Sequence, residues 1–544
     1  MKINLQDHAS AYRQASDASR AAGVLRRIWS RDHTVWAPEP DEISNRLGWL
    51  DVHVRMQTQV PGLNAFRADL IKEGFTHALL LGMGGSSLAP ELFARTFGAA
   101  ADGLDLAVLD STDPGAVREK TAYSDPEKTI YIVATKSGGT VETFSFFKYC
   151  YNLAVERVGA EAAGRHFIAI TDPGSGLVDT AMQYRFRRIF LSDPEIGGRY
   201  SALSLFGLVP AALVGADLGR LLAEAETVAS VSHTPDCTAV RLGISLGVLA
   251  KAGRDKLTLL TSPEIASFGD WIEQLVAEST GKRGRGILPV VGERSGGPSG
   301  MDRVFAGHVL PGDAETSRRL NELETAGHPV IRMELRDPYE LGGQFFLWEF
   351  ATAVAGHVLG IQPFDQPNVE SAKILARRMV DRYKETGKLP EGERSEVSAA
   401  AVERFIGGMV PGEYIAIHAY LAPGEAADRA LDDFRIALRA KTGAAVTVGY
   451  GPRFLHSTGQ LHKGDAGNGR FIQFTAEVES DLPIPDQAGE PASQMSFDTL
   501  KLSQALGDYE ALQQADPPRK VIRFHLGANP ARRIAGLARE IESP

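Results

Sequence analysis

Two apolar runs that break into glycines and hydroxyls and then turn helical constrain this chain most. The first is Ala78-Leu-Leu-Leu-Gly-Met-Gly-Gly-Ser-Ser-Leu-Ala-Pro90, the second Thr129-Ile-Tyr-Ile-Val-Ala-Thr-Lys-Ser-Gly-Gly-Thr-Val-Glu-Thr143. A short apolar run closed by a Gly/Ser cluster reads as a strand entering a turn. Strand, turn and helix in tandem give βα units, hence a parallel sheet with helices on both faces. Strands are expected at 76–81, 104–109, 129–134, 166–171 and 188–191, then near 257–260, 286–291, 307–310 and 330–334.

Past residue 400 the order changes to strand 414–421, helix 426–440, strands 445–454 and 470–477, helix 497–514 and strand 520–526. That β-α-β-β-α-β order predicts a ferredoxin-like plait. The expected architecture is therefore α/β: two doubly wound parallel-sheet domains plus a C-terminal α+β (ferredoxin-like) domain. The boundaries read as a helical segment at 1–53, α/β domains at 54–215 and 216–380, a polar linker at 381–400 and the C-terminal domain at 401–544.

The two turns have the chemistry of anion cradles. Gly84, Gly85 and Ser86 in one, and Thr135, Lys136, Ser137 and Thr140 in the other, offer backbone N–H groups, hydroxyls and a cation at helix starts. A dinucleotide fingerprint requires glycine where Ser87 stands, and a Walker A loop ending at Gly281-Lys282 requires glycine where Val276 stands. What remains is a cradle for a small monophosphate. In Phe268-Gly-Asp-Trp-Ile-Glu-Gln-Leu-Val-Ala-Glu-Ser-Thr-Gly-Lys282, Gln274 and Glu278 share one helical face, with Gly281 just past its end. A carboxylate fixed beside an amide suits a proton-moving base. Arg199 follows two glycines, which let its guanidinium turn into a cleft, and precedes Ser201, the expected helix cap. Pro367 suits a first helical turn, which would put Gln366 and Lys373 on one face.

Composition narrows the partners. A net charge of −10 disfavours nucleic acid, so phosphate attraction has to come from a local pocket. Two cysteines, Cys150 and Cys237, speak against a disulfide framework and for a reducing, cytoplasmic setting. No apolar run has membrane-spanning length, the start of the chain does not read as a signal peptide, and the 13 histidines form no HExxH or HxxxH pattern. No metal and no cofactor is expected.

The segments GMGGSSLAP, TKSGGTVET, GGRYS, AESTGK and FDQPNVESAK occur here in the order found in glucose-6-phosphate isomerases, between residues 82 and 373. The flanks, around Arg27-Ile-Trp-Ser-Arg-Asp-His33, Leu47-Gly-Trp49 and Phe454-Leu-His-Ser-Thr-Gly-Gln-Leu-His-Lys-Gly464, resemble the isomerase half of bifunctional transaldolase/glucose-6-phosphate isomerases. The resemblance implies two sugar-isomerase (SIS) domains with the site in the crevice between them. It implies a hexose phosphate substrate, a step of glycolysis and gluconeogenesis, a homodimer, and a functional link to a transaldolase, with no transaldolase half preceding this chain.

By position, the resemblance makes Ser86, Thr135, Lys136, Ser137 and Thr140 phosphate binders and Glu278 the base moving a proton between C1 and C2. Arg199 stabilises the enediolate, and Gln274, Gln366, Lys373 and Glu142 are the surrounding polar contacts. The family's ring-opening histidine, which comes from a neighbouring subunit, belongs in segment 296–305, where Met301 and Asp302 stand instead. His308, His456 and His462 are candidates elsewhere, and the simplest expectation is that Lys373 protonates the ring oxygen. Two other readings stay open: isomerisation of another C6-anionic hexose (mannose 6-phosphate or a sulfonated sugar), and a non-catalytic sugar-phosphate-binding module.

Overall fold

A computed structural model describes residues 1–294 and 298–542. The chain opens with strand β1 (Lys2–Asn4) and helices Ala9–Ala21 and Val24–Trp29. The first sheet follows, made of β2 (His77–Gly82), β3 (Asp105–Leu109), β4 (Thr129–Ala134), β5 (Phe167–Thr171) and β6 (Arg188–Leu191). All its strands are parallel, in the order β3-β2-β4-β5-β6. β4 is buried along its whole length, which is why its sequence is continuously apolar and does not alternate.

The second sheet holds β7 (Lys256–Thr261), β8 (Leu288–Val290), β9 (Arg303–Val309) and β10 (Val330–Glu334), in the order β1-β10-β9-β7-β8. The N-terminal β1 pairs antiparallel on its edge. Sequence reading made residues 1–53 wholly helical; a three-residue edge strand is too short to show a period of two.

The C-terminal sheet corrects the expected plait. Its strands are β11 (Tyr414–Tyr420), β12 (Val446–Tyr450) and β13 (Gly469–Thr475), with Lys520–His525 as the fourth. Every pairing is parallel, with β12 beside β11, β11 beside β13, and β13 beside Lys520–His525. A ferredoxin-like plait would be antiparallel. The difference lies in residues 451–468, where sequence reading continued a strand to 454 and placed a loop at 455–464 between two plait strands. These residues contain a helical turn at Arg453–His456 and a helix at Gly459–Gly464, and so form a crossover connection long enough to carry the chain from β12 past β11 to β13, parallel to both. Within each of the three sheets the parallel strands run 2-1-3-4 in chain order, with a fifth added to the first sheet.

The stretch expected as a linker is partly helical, since helix Val369–Thr386 runs into it and Ala399–Ile406 follows it. The C-terminal unit is docked firmly on the other two. Ile484, Phe497 and Leu500 join the core of the first sheet, and Phe497 stacks on Phe146 at 6.0 Å. Tyr414, Leu461 and Phe471 pack with Ala277, Leu288 and Val290 of the second unit. Crossover 451–468 and helix Phe497–Gln513 thereby lie over the cleft between the first two sheets.

Candidate active site

β2 and β4 are neighbours in register, with Leu81 opposite Val133 and Gly82 opposite Ala134. Their Gly/Ser loops therefore leave the sheet side by side at its carboxyl edge, where doubly wound folds bind ligands. In the second loop Thr135 is buried and its hydroxyl lies 2.9 Å from that of Thr140. Thr171 Oγ1 donates to the Thr135 carbonyl at 2.7 Å and steadies the loop from behind. Ser137 and Gly139 stay exposed. Lys136 lies at this loop, with Nζ bonded to Asp172 and, at 3.0 Å, to the Pro194 carbonyl. Burial pushes the Asp172 carboxyl above its ordinary range, against the pull of Lys136.

In the first loop Ser86 is buried near the helix start, but the glycines have a second role. Gly84 has φ of 53°, a left-handed conformation, and a Cβ there would stand 2.8 Å from the His456 carbonyl oxygen. A Cβ on Gly85 would stand 2.0 Å from the Gly198 oxygen. Gly84 and Gly85 are thus where the first loop meets two other backbones, those of the C-terminal crossover and of the turn bearing Arg199. The cradle reading of these two glycines from sequence missed this contact.

Arg199 sits on a single helical turn, Gly198–Tyr200, and is fully enclosed. The cap of the next helix is Ser204, whose hydroxyl accepts from Phe206 N, and not the expected Ser201. Arg199 donates through Nε to Ser279 Oγ at 2.7 Å and through Nη2 to the carbonyls of Pro363 at 2.6 Å and Asp365 at 3.2 Å. Its Nη1 lies 3.3 Å from Glu278 Oε1. Glu278 is buried near the end of helix Phe268–Thr280, which stops at Gly281 as its sequence predicts. Gln274 Nε2 donates to Glu278 Oε2 at 3.1 Å and to the His456 carbonyl at 2.8 Å. Gln274 Oε1 is buried without a partner in the described structure, leaving an acceptor available to a ligand hydroxyl.

The loop after Leu359 is held by Lys282, whose Nζ donates to the carbonyls of Gln362 at 2.9 Å and Asp365 at 2.6 Å and to the Asp365 carboxylate. Burial, reinforced by the Arg199 charge, brings this ammonium down to about 7 despite its Asp365 partner. Sequence reading gave Lys282 no role because its contacts are all distant in the chain.

The expected pairing of Gln366 with Lys373 on one helix is corrected: the helix begins at Val369, and Gln366 is exposed in the turn before it. Lys373 is about half exposed, with its nearest carboxylate, Glu370, at 3.9 Å. It lines a small cavity with Glu142, His456, Lys463 and Gln504. Glu142, in the first turn after the second loop, accepts from His456 Nε2 at 2.9 Å and from Gln504 Nε2 at 2.7 Å. Burial opposes its charge, but His456 and the Lys373 ammonium together hold the carboxyl below its ordinary range.

Asp302 lies just before β9, at the amino end of the second sheet, 3.8 Å from Lys256. The start of segment 296–305 falls outside the described residues. His308 is a core residue, its Nε2 taken by Trp348 Nε1 at 2.9 Å, and burial depresses it to about 3. His462 is enclosed beside His418, which in turn contacts Asp508. No group of side chains suited to a metal ion occurs among the described residues, and none of their helices is long and apolar enough to cross a membrane.

Residues 57–283 match the model of the phosphoglucose isomerase family. The glucose-6-phosphate isomerase of Geobacter sp. strain M21 is 34% identical over 352 residues, covering 56% of this chain and 65% of that protein. That of Citrifermentans bemidjiense is 28% identical and also covered to 65% of its length, so the chain spans about two thirds of these relatives. That of Thermus thermophilus is 27% identical and covered to 91%.

Among solved structures, a hypothetical protein from Thermus thermophilus superposes with TM-score 0.59 at 24% identity, over 70% of this chain and all of that one. A glucose-6-phosphate isomerase from Chlamydia trachomatis superposes with TM-score 0.55 at 17% identity, over 73% and 89%. At these identities the structural likeness establishes the fold alone. The family match covers both loops, Arg199, Gln274 and Glu278, and ends before the C-terminal unit. The part that carries these residues is similar to the phosphoglucose isomerase family.

Proposed function

We propose that the protein interconverts D-glucose 6-phosphate and D-fructose 6-phosphate through a cis-enediolate, and that its first two α/β units act as SIS domains. The observation that carries this is the buried Arg199–Glu278 pair at 3.3 Å, set beside an open loop of hydroxyls and one cation. The phosphate docks on Ser86, Thr135, Lys136, Ser137 and Thr140, exchanging part of the Lys136–Asp172 contact for its own charge. Anchoring at C6 holds C1 and C2 near Glu278, which turns proton transfer into an intramolecular event. Glu278 removes the C2 proton and returns it at C1. Arg199, rigid through its contacts to Ser279, Pro363 and Asp365, meets the negative charge that develops on the enediolate oxygens, an effect worth roughly 2–4 kcal/mol for one good donor. The two buried thiols suit a reducing cytoplasm.

The test is steady-state kinetics on glucose 6-phosphate, mannose 6-phosphate and a sulfonated hexose. The expected result is the highest kcat/KM on glucose 6-phosphate. A higher value on another sugar reassigns the substrate, and turnover of none of them refutes catalysis.

A further inference from the structure

We propose that Lys282 is a positioning residue of the isomerisation: it fixes the turn at residues 361–365 on which Arg199 rests, and so keeps the guanidinium aimed at the oxygens beside Glu278. This rests on the isomerase reading above.

Lys282 follows directly on the helix of Glu278, and its backbone is tied down. Its N–H donates to the Arg285 carbonyl at 2.9 Å, and its own carbonyl accepts from Arg285 N at 3.0 Å. Gln460 donates to the carbonyl of the preceding Gly281 at 2.9 Å. The side chain, only 3% exposed, reaches the turn that follows helix Leu341–Leu359. An ammonium has three donors and no acceptor. Here they go to the Gln362 carbonyl, the Asp365 carbonyl and the Asp365 carboxylate.

Arg199 meets the same turn from the first unit. It bonds the Pro363 carbonyl and also the Asp365 carbonyl that Lys282 bonds. Two cations from different units thus share one ledge of carbonyls. Within the turn, the N–H groups of Phe364 and Asp365 donate to Gln362 Oε1 at 2.9 Å and 2.6 Å, which leaves the carbonyls to the two cations. The three nitrogens of Arg199 then divide their work. Nε is held by Ser279 and Nη2 by the turn, while Nη1 stands 3.3 Å from Glu278 Oε1. A shift of the turn would swing Nη1 away from Glu278.

The position of Lys282 is costly in itself. Burial and the Arg199 charge draw its ammonium down to about 7, against the pull of Asp365 and Glu278. An apolar side chain of similar length is easier to bury. What the cation holds, the ledge under Arg199, accounts for its presence.

The experiment is a double-mutant cycle on the full chain. Kinetic constants for glucose 6-phosphate are measured for wild type, Lys282→Met, Arg199→Gln and the double variant. Lys282→Met is expected to lower kcat by about 10- to 100-fold, with KM within about 3-fold of wild type because the proposed phosphate loop is untouched. In the Arg199→Gln background the same change is expected to lower kcat by no more than about 2-fold, since a residue acting through Arg199 has nothing left to position. Equal losses in the two backgrounds, no loss in either, or a rise in KM without loss of kcat overturns the proposal. If wild type does not isomerise glucose 6-phosphate, it is the underlying isomerase reading that fails. Should Lys282→Met not fold, judged by circular dichroism, Lys282→Gln takes its place in the cycle. Failure of both to fold makes Lys282 a residue of folding alone and likewise overturns the proposal.

Discussion

Glu278 and the backbone of His456 are held by one amide, Gln274 Nε2, at 3.1 Å and 2.8 Å. The proposed base of one unit and the crossover of another are therefore positioned by the same side chain. Gln274→Met keeps the volume and removes both bonds. It is expected to lower kcat about 10-fold or more by loosening Glu278, since small misplacements of a reacting group are costly. Glu278→Gln, which removes the proposed proton acceptor itself, is expected to lower kcat by at least about 100-fold with the fold intact by circular dichroism. If Gln274→Met leaves kcat untouched, the amide has no positioning role.

Lys136→Ala is expected to act on binding. A phosphate contact exists in ground and transition states alike, so its loss raises KM with a smaller change in kcat. Because Lys136 is shared with Asp172, Asp172→Asn should do the reverse and lower KM by freeing the ammonium. Kinetics showing kcat collapse at constant KM in Lys136→Ala would contradict the anchor role.

Gly85→Ala tests the close approach of the two glycine motifs. Its Cβ would stand 2.0 Å from the Gly198 oxygen, a backbone atom that cannot swing aside. The turn carrying Arg199 has to retreat, and a cost above about 2 kcal/mol is expected for this overpacking. Thermal denaturation should show a clear drop in Tm, accompanied by loss of activity through Arg199. A variant with wild-type Tm would mean that the contact is slack.

Much of this was legible in the chain. The strands of the first sheet and the helix bearing Glu278 show because buried parallel strands are continuous apolar runs and a helix end needs its glycine. Other features depend on contacts between residues far apart in the chain, which local pattern does not encode. The pairing of His456 with Glu142 is one, the bonding of Lys282 to Asp365 another. The parallel order of the C-terminal sheet was hidden by a six-residue helix, Gly459–Gly464, too short to display a periodic apolar face. Gln366 was misplaced by two residues of helix start, enough to move it off the shared face.

The helix that carries Glu278 has a second, acidic side that should make stability pH-dependent. Burial, with the nearby Asp270 charge adding to it, pushes the Glu273 carboxyl up to about 8, while Ser457 and Arg453 pull weakly the other way. Burial likewise raises Asp270 to about 6 against the Arg453 charge. In the folded state Glu273 keeps its proton up to about 8, whereas in the unfolded chain it loses it near the ordinary value of 4.5. Between those values the native state binds more protons than the unfolded one, so stability is full below 4.5 and falls as pH rises through 8. The side chain is partly exposed, so solvent reduces the effect to roughly 1–3 kcal/mol. Glu273→Gln keeps a neutral hydrogen-bonding group and removes the titration. Its Tm is expected to fall less than that of wild type between pH 5 and pH 9 and to exceed it at pH 9. Parallel Tm curves for the two proteins across that range would show that Glu273 is ionised in the native state throughout.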